Sequence, residues 1–84
     1  MEKREALIEK VRSHKTNVSP KELMELLREW GFSQRKGKGD HVAFRHKKLH
    51  TRTQVIPTRQ NPVGPTIVLQ VLKLIQELQE QQNG

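Results

Sequence analysis

The sequence predicts an α+β fold in which helices cover one face of a three-stranded antiparallel sheet, with the elements in the order α-α-β-β-β-α. Apolar residues recur with the helical period towards both ends of the chain, whereas the middle third alternates between apolar and polar residues. A sheet this small can bury one face only, so we expect the opposite face to meet water. A chain of 84 residues is expected to form one domain, over residues 1–84.

The first predicted helix runs from Glu2 to His14, within the N-terminal segment of residues 1–15. Its apolar stripe is narrow and consists of Leu7, Ile8 and Val11. A helix this short persists only when it packs on another element. We therefore expect it to serve as a structural brace.

The second predicted helix carries the clearest local signal, in residues 18–31. Ser19-Pro20-Lys21-Glu22 has the pattern of a capping box with proline at the first helical position. Four apolar residues then fall on a single helical face: Leu23, Leu26, Leu27 and Trp30. Gly31 is the expected left-handed residue that ends the helix.

Three short strands are predicted next, from Phe32 to Lys36, from His41 to His46 and from Arg52 to Pro57. Gly37-Lys38-Gly39 separates the first two, and a polar turn over Lys47 to Thr51 separates the last two. If Val42 and Phe44 face the helices, alternation places His41, Ala43 and Arg45 on the open face, and a slip of one residue would invert this assignment. In the third strand, Gln54 and Ile56 share one side, and Thr53 and Val55 the other.

The last predicted helix, Thr66 to Gln79, has the broadest apolar face in the chain. We expect residues 80–84 to fray beyond it. Whether its apolar face is used entirely by the core or also forms a dimer is left open, so the sequence predicts no oligomeric state.

Composition excludes several classes of protein. There is no cysteine, which excludes disulfides and thiolate metal sites and is compatible with a cytoplasmic location. No apolar run is long enough to span a membrane, and no signal peptide is visible at the N-terminus. We therefore expect a cytoplasmic protein with no membrane partner.

The net charge of +7 lies entirely in the middle third of the chain. Gly31 to Arg59 contains eight Lys and Arg residues and one acid, Asp40, whereas the remaining residues contain eight basic and eight acidic side chains. Such segregation indicates a polyanionic partner, most commonly nucleic acid. The candidate RNA-binding residues are Arg35, Lys36, Lys38, Arg45, Lys47, Lys48, Arg52 and Arg59.

The ordered set of motifs resembles the HicA-type toxins, the small mRNA interferases of bacterial toxin–antitoxin pairs, over nearly the whole chain. The matching segments are KELMELLREWGF (21–32), Gly39-Asp40-His41 with the strand through Phe44 to Arg45-His46, Gln54-Val55-Ile56-Pro57, and Asn61-Pro62-Val63 with the helix after it. The resemblance implies a fold like that of the double-stranded RNA-binding domain. It also implies endoribonuclease activity on mRNA, a cognate antitoxin as partner, and His41 as the catalytic residue. The additional N-terminal helix is similar to that of one subgroup.

The chemistry of RNA cleavage independently favours His41 as a candidate. Cleavage without a metal requires a proton to leave the 2′-hydroxyl and another to reach the departing 5′-oxygen, and histidine titrates near the pH at which either transfer occurs. Lys36, Lys38 and Arg45 are the nearest candidates in sequence for stabilising the negative charge. Gly37 and Gly39 would let the backbone approach a phosphate closely. We expect no cofactor.

Asp40 departs from the HicA signature, which has serine at this position. Its carboxylate could orient the imidazole of His41 and raise its pKa, or it could repel phosphate and weaken activity.

Some residues of these types are better explained by structural roles than by functional ones. Trp30 and Phe44 are expected in the core rather than as platforms for stacked bases. His46 and His50 are four residues apart outside any predicted helix and lack a third ligand, so we expect no metal site. Two further functions remain open besides the enzyme: a non-catalytic RNA-binding module, and a protein-interaction domain whose basic face meets an acidic partner.

Overall fold

The computed structural model describes residues 2–49 and 52–83, and within these ranges it describes every side chain except those of Lys36, Gln82 and Asn83. Its elements, in chain order, are the helices α1 (Lys3–Ser13) and α2 (Pro20–Glu29), the strands β1 (Ser33–Lys36) and β2 (His41–Arg45), a 3-10 turn (Lys47–Leu49), the strand β3 (Thr53–Pro57) and the helix α3 (Pro65–Asn83). The three strands form one antiparallel sheet in the order β1-β2-β3. The predicted fold class, sheet and element order are therefore confirmed.

The strand register produces two faces of opposite character. Phe44 and Ile56 are fully buried on the side of the helices, and Val42 packs against the same core. The neighbouring residues form rows on the other face, in which Arg35 lies opposite Ala43 and Ala43 opposite Val55. The predicted alternation of β2 and β3 is confirmed, and Gln54, on the same side of β3 as Ile56, is buried as well.

The start of α2 forms the predicted capping box. The Glu22 backbone N–H donates to Ser19 Oγ at 3.1 Å, and the Ser19 backbone N–H donates to Glu22 Oε1 at 3.3 Å. At the other end, Gly31 has a φ of 87°, the left-handed conformation that glycine adopts without steric cost. Because both ends are stabilised locally, the helix boundaries follow from its own sequence.

The N-terminal helix is fastened to α2 by polar contacts as well as by apolar burial. Trp30 Nε1 donates to the Arg4 carbonyl oxygen at 3.1 Å, and the Arg4 guanidinium lies 4.6 Å from the centre of the Trp30 ring. His14, at the end of α1, lies 3.0 Å from Glu22 through Nε2 and Oε2. Partial burial would raise the pKa of Glu22, but the interactions with His14 and Ser19 outweigh it, so the pKa is lowered. The predicted brace is thus a packed part of the domain, and Trp30 lies in the core as expected.

Two features differ clearly from the predictions, whereas the bounds of the strands and of the first helix shift by at most one residue. The last helix continues to Asn83, so residues 80–83 belong to α3 and do not form the predicted frayed tail, whereas Gly84 lies outside the described residues. Glutamate and glutamine are good helix formers, and the fully buried Leu78 anchors this end of the helix. The turn after β2 is not simply polar, because Leu49 is buried in the core. None of the helices in the described residues combines the length and the apolar composition that a membrane-spanning segment requires.

His46 links the end of β2 to the end of α2. Its Nδ1 accepts a hydrogen bond from the Lys48 backbone N–H at 3.0 Å, and its ring meets the edge of the Phe32 ring at a centroid distance of 5.1 Å. Burial lowers the pKa of His46, and the nearby charges of Lys48 and Lys47 lower it further, against an opposing hydrogen bond with the Trp30 backbone. The imidazole is therefore held in its neutral form at neutral pH.

This shift in pKa makes the stability of the domain depend on pH. The unfolded chain takes up a proton on His46 near its ordinary pKa of about 6.5, before the folded protein does, so the free energy of unfolding decreases as the pH falls through that value. Urea denaturation of the wild type at pH 7.5 and pH 5.5 is expected to show this decrease. His46→Asn retains a side-chain acceptor for the Lys48 N–H but cannot titrate, so its decrease should be smaller. An equal decrease in both proteins would contradict the assignment.

Candidate functional site

His41 is the first residue of β2 and lies on the open face of the sheet. Its backbone pairs with Pro57 of β3, and its side chain is 51% exposed. The buried Phe44, three residues further along the strand, has the opposite orientation. The imidazole is therefore accessible from solvent at the place that the sequence predicted.

The turn that presents His41 is tightly constrained. Gly39 has a φ of 60°, and a Cβ added to Gly37 would lie 2.5 Å from the carbonyl oxygen of His41. The Asp40 carbonyl oxygen accepts two hydrogen bonds from Thr58, from its backbone N–H at 2.8 Å and from Oγ1 at 2.7 Å. The His41 backbone N–H donates to the Lys38 carbonyl oxygen at 3.2 Å. The conformation and contacts of this turn explain why both positions are occupied by glycine, independently of the predicted approach to a phosphate.

Asp40 lies beside the imidazole. Its Oδ1 is 3.4 Å from His41 Nδ1, and both side chains are about half exposed, at 47% and 51%. A proton on Nδ1 is favoured by this carboxylate, which leaves Nε2 of the neutral ring as the acceptor. Both effects predicted for Asp40, orientation of the imidazole and repulsion of phosphate, stay predictions.

The basic residues of the middle third fall into several groups. On the open face, Arg35 lies diagonally across from His41, which corresponds to about 7–8 Å between the two backbones. A depression of about 300 Å³ at the other end of the face is lined by Ser33, Arg35, Arg45, His46 and Lys47. Lys38, Lys48 and Arg59 are exposed in the turns around the sheet. The predicted cationic surface is thus spread over the open face and its turns.

Two of the predicted RNA-binding residues, Arg52 and Lys36, are not part of these groups. Arg52 forms an ion pair with Glu77 of α3, with 3.0 Å between Nη2 and Oε1, so much of its charge is offset within the protein. The backbone of Lys36 pairs with Val42, but the side chain lies outside the described part of the chain.

A groove of about 710 Å³ runs between β3 and α3, and His41 lies in its wall. This volume is within the range of ligand-binding clefts. The residues of α3 that line it are Ile67, Gln70, Lys73 and Leu74, and none of them was a candidate from the sequence. The period-2 signal of β3 and the 3.6-residue period of α3 each indicate a buried face, but neither indicates which flanks of the two elements lie side by side.

The described residues contain no group of three His, Asp or Glu side chains placed to hold a metal ion. His46 is hydrogen-bonded to Lys48 and packs against Phe32, and His50 lies outside the described residues. The absence of a metal or cofactor in the reaction stays a prediction.

The geometry of the turn gives a direct test of how His41 is held. In Gly37→Ala, the new methyl group would overlap the His41 backbone, so the free energy of unfolding is expected to fall by about 1–3 kcal/mol. The matched control is Gly64→Ala, because a Cβ there meets no atom within 4 Å. Urea denaturation and the chemical shifts of the His41 ring report stability and placement. Equal stability of the two variants would contradict the close contact.

Comparisons with known protein families, with curated proteins and with solved structures found no match for this chain. The resemblance to HicA-type toxins therefore stays a prediction that depends on the motifs, and the functional argument depends on the geometry of the site.

Proposed function

We propose that this protein is a metal-independent endoribonuclease that cleaves mRNA with His41 as its acid–base group and is neutralised by a cognate antitoxin. The observation that supports the proposal most strongly is the exposed His41 imidazole on the open, cationic face of the sheet, with the Asp40 carboxylate 3.4 Å from Nδ1. A histidine placed in this way is accessible to a ribose-phosphate and retains one ring nitrogen for proton transfer.

In the proposed reaction, neutral His41 accepts the proton of a ribose 2′-hydroxyl through Nε2. The O2′–P bond forms as the P–O5′ bond breaks, and the departing 5′-oxygen takes a proton from an acid or from water, which leaves a 2′,3′-cyclic phosphate. A positioned acid or base accelerates such a step by about 10²–10⁴-fold. In this proposal Arg35 stabilises the negative charge that accumulates on the phosphoryl oxygens, and Asp40 holds the ring so that Nε2 is presented to the 2′-hydroxyl.

The proposed antitoxin would neutralise this activity by covering the basic face. Complementary charge accelerates association and selects the partner, so we expect an acidic or polar surface on the antitoxin. The same face would then be occupied either by RNA or by the partner.

A non-catalytic RNA-binding module is the second candidate. Among the described side chains, several Lys and Arg residues are exposed but only one histidine is. Lys and Arg alone suffice to bind phosphates, so these exposed charges favour a binding module. A domain that binds only an acidic protein would use the same charges, and it differs from both other functions in having no affinity for RNA.

Replacement of His41 separates the enzyme from the binding module. His41→Ala is expected to lower the rate of RNA cleavage in the presence of EDTA by about 10²-fold or more, because the acid–base group is lost. Folding and RNA binding should be largely retained, since the side chain is exposed and contributes little to the core. Gel analysis of a labelled RNA measures cleavage, and fluorescence anisotropy measures binding.

The matched control is His14→Gln, which removes an imidazole from the end of α1 and should leave cleavage unchanged. If purified wild-type protein never cleaves RNA with EDTA present, or if His41→Ala cleaves as fast as the wild type, the proposed mechanism is wrong.

The salt dependence of RNA binding tests the role of the cationic face. Contact with about four phosphates of a single strand gives a slope of roughly −3 in a plot of the logarithm of affinity against that of salt concentration. Arg35→Ala should make the slope shallower by about 0.7, because one phosphate contact is lost. Lys21→Ala, on the exposed side of α2, is the control that should not change it. The absence of any RNA affinity at low salt would favour the domain that binds only protein.

A further inference from the structure

β3 is an edge strand, because in the described part of the chain it pairs with β2 alone. An edge strand presents backbone N–H and C=O groups that no neighbouring strand satisfies, and another extended chain can pair with them. Which residues present these groups depends on the hydrogen-bonding phase of the β2–β3 ladder.

A contact just beyond the ladder fixes that phase. The Thr58 backbone N–H donates to the Asp40 carbonyl oxygen at 2.8 Å, and these two residues continue the register in which His41 pairs with Pro57. Hydrogen-bonded and non-hydrogen-bonded pairs alternate in an antiparallel ladder. The backbone groups of Pro57, Val55 and Thr53 therefore point away from β2, towards the free edge.

Some of the backbone groups along this edge are hydrogen-bonded within the protein. The Gln54 side-chain amide donates to the Val55 carbonyl oxygen at 3.3 Å, and the Gln60 backbone N–H donates to the Pro57 carbonyl oxygen at 3.4 Å. Proline has no N–H to satisfy. The edge groups left open among the described residues are the Val55 N–H and both the N–H and the C=O of Thr53.

The groove of about 710 Å³ runs beside these groups. One wall is the edge of β3, with Val55 43% exposed, and the other wall is the flank of α3 that carries Ile67, Gln70 and Lys73. Lys73 is exposed and forms no ion pair with the described residues, whereas Arg52 is already paired with Glu77. The groove thus combines open backbone groups, accessible apolar surface and one uncompensated positive charge.

We propose that this groove binds an extended peptide segment of a partner protein, which adds a strand to the free edge of β3 and places an acidic side chain against Lys73. Strand addition supplies affinity through backbone hydrogen bonds and specificity through alternate side chains, which suits an edge flanked by a helix. The assignment does not depend on the ribonuclease activity.

Two other occupants fit the groove less well. A second copy would bring its own sheet and helices to the edge, whereas α3 stands alongside β3 and leaves a cleft suited to a single strand. RNA would find most of the positive charge on the open face and its turns, outside the groove, where Lys73 is the one cation without an ion pair to a described residue.

The experiment uses a phage-displayed library of random twelve-residue peptides, panned against the intact protein. The peptide that binds best is then synthesised and titrated by fluorescence anisotropy. Binding is expected to slow hydrogen exchange of the Thr53 and Val55 amides about tenfold or more, since they become hydrogen-bonded. In the free protein these two amides should exchange faster than those of Gln54 and Ile56, which belong to the β2–β3 ladder.

Two pairs of variants isolate the backbone and the charge. Val55→Pro removes an N–H that does not serve the ladder, so it should weaken binding about tenfold, whereas Val55→Ala retains the N–H and should bind more tightly than Val55→Pro. Lys73→Glu should weaken binding of a peptide with an acidic residue. Lys21→Glu makes the same change of charge on the exposed side of α2, outside the groove, and should weaken it less.

The proposal is overturned if panning yields no binder, if bound peptides protect amides other than those of Thr53 and Val55, or if the variants of each pair bind alike. Should Val55→Pro fail to fold, the exchange data and the Lys73 pair still decide the outcome. Protection of the two amides that grows with protein concentration alone would assign the edge to a second copy. Protection by an eight-nucleotide single-stranded RNA, with no peptide bound, would assign it to RNA. Whether the wild-type protein cleaves RNA is a separate question, and either answer leaves this outcome unchanged.

Discussion

The phase of β2 is the constraint on which the rest of the structure depends. Burial of the Phe44 side chain beneath the helices contributes about 1.5–3 kcal/mol, which is lost if the strand shifts by one residue. Because side chains alternate along a strand, this burial forces His41 onto the open face. The turn adds a second restraint, since Thr58 holds the Asp40 carbonyl oxygen and Gly37 packs against the His41 backbone. The candidate catalytic group is therefore placed jointly by the core and by the turn that precedes β2.

The same phase determines the character of the free edge of the sheet. The hydrogen bond from Thr58 to Asp40 belongs to the turn that presents His41, and it also directs the backbone groups of Thr53 and Val55 outward. One register thus produces two different surfaces. The open face carries side-chain charge, whereas the edge of β3 carries unpaired backbone groups, with little charge beyond Lys73.

Features encoded within a few adjacent residues could be predicted from the sequence, and features that join distant residues could not. The capping box of α2 and the alternation of β2 each occupy a short segment, so their patterns were sufficient. The groove depends on Gln70 and Lys73 lying beside β3, and a period marks the buried face of a helix without identifying its neighbour. The contact of His46 with Phe32 joins the two ends of the β1–β2 hairpin. The sequence alone does not show this contact, so it could not identify His46 as a structural residue. Leu49 looked like part of a polar turn because a single apolar residue has no period.

The two proposed surfaces meet at His41, which stands on the open face and also lines the groove. Its strand partner is Pro57, the last residue of the edge strand, so an extended chain along the whole of β3 would end beside the imidazole. The forces at the two surfaces differ in kind. Contacts between exposed charges and phosphates weaken as salt shortens the screening length to about 8 Å at physiological ionic strength, whereas hydrogen bonds between backbones depend on it far less. A partner held at the edge of β3 would therefore remain bound under conditions that release RNA from the open face, and it could restrict access to His41 without competing for the same cations.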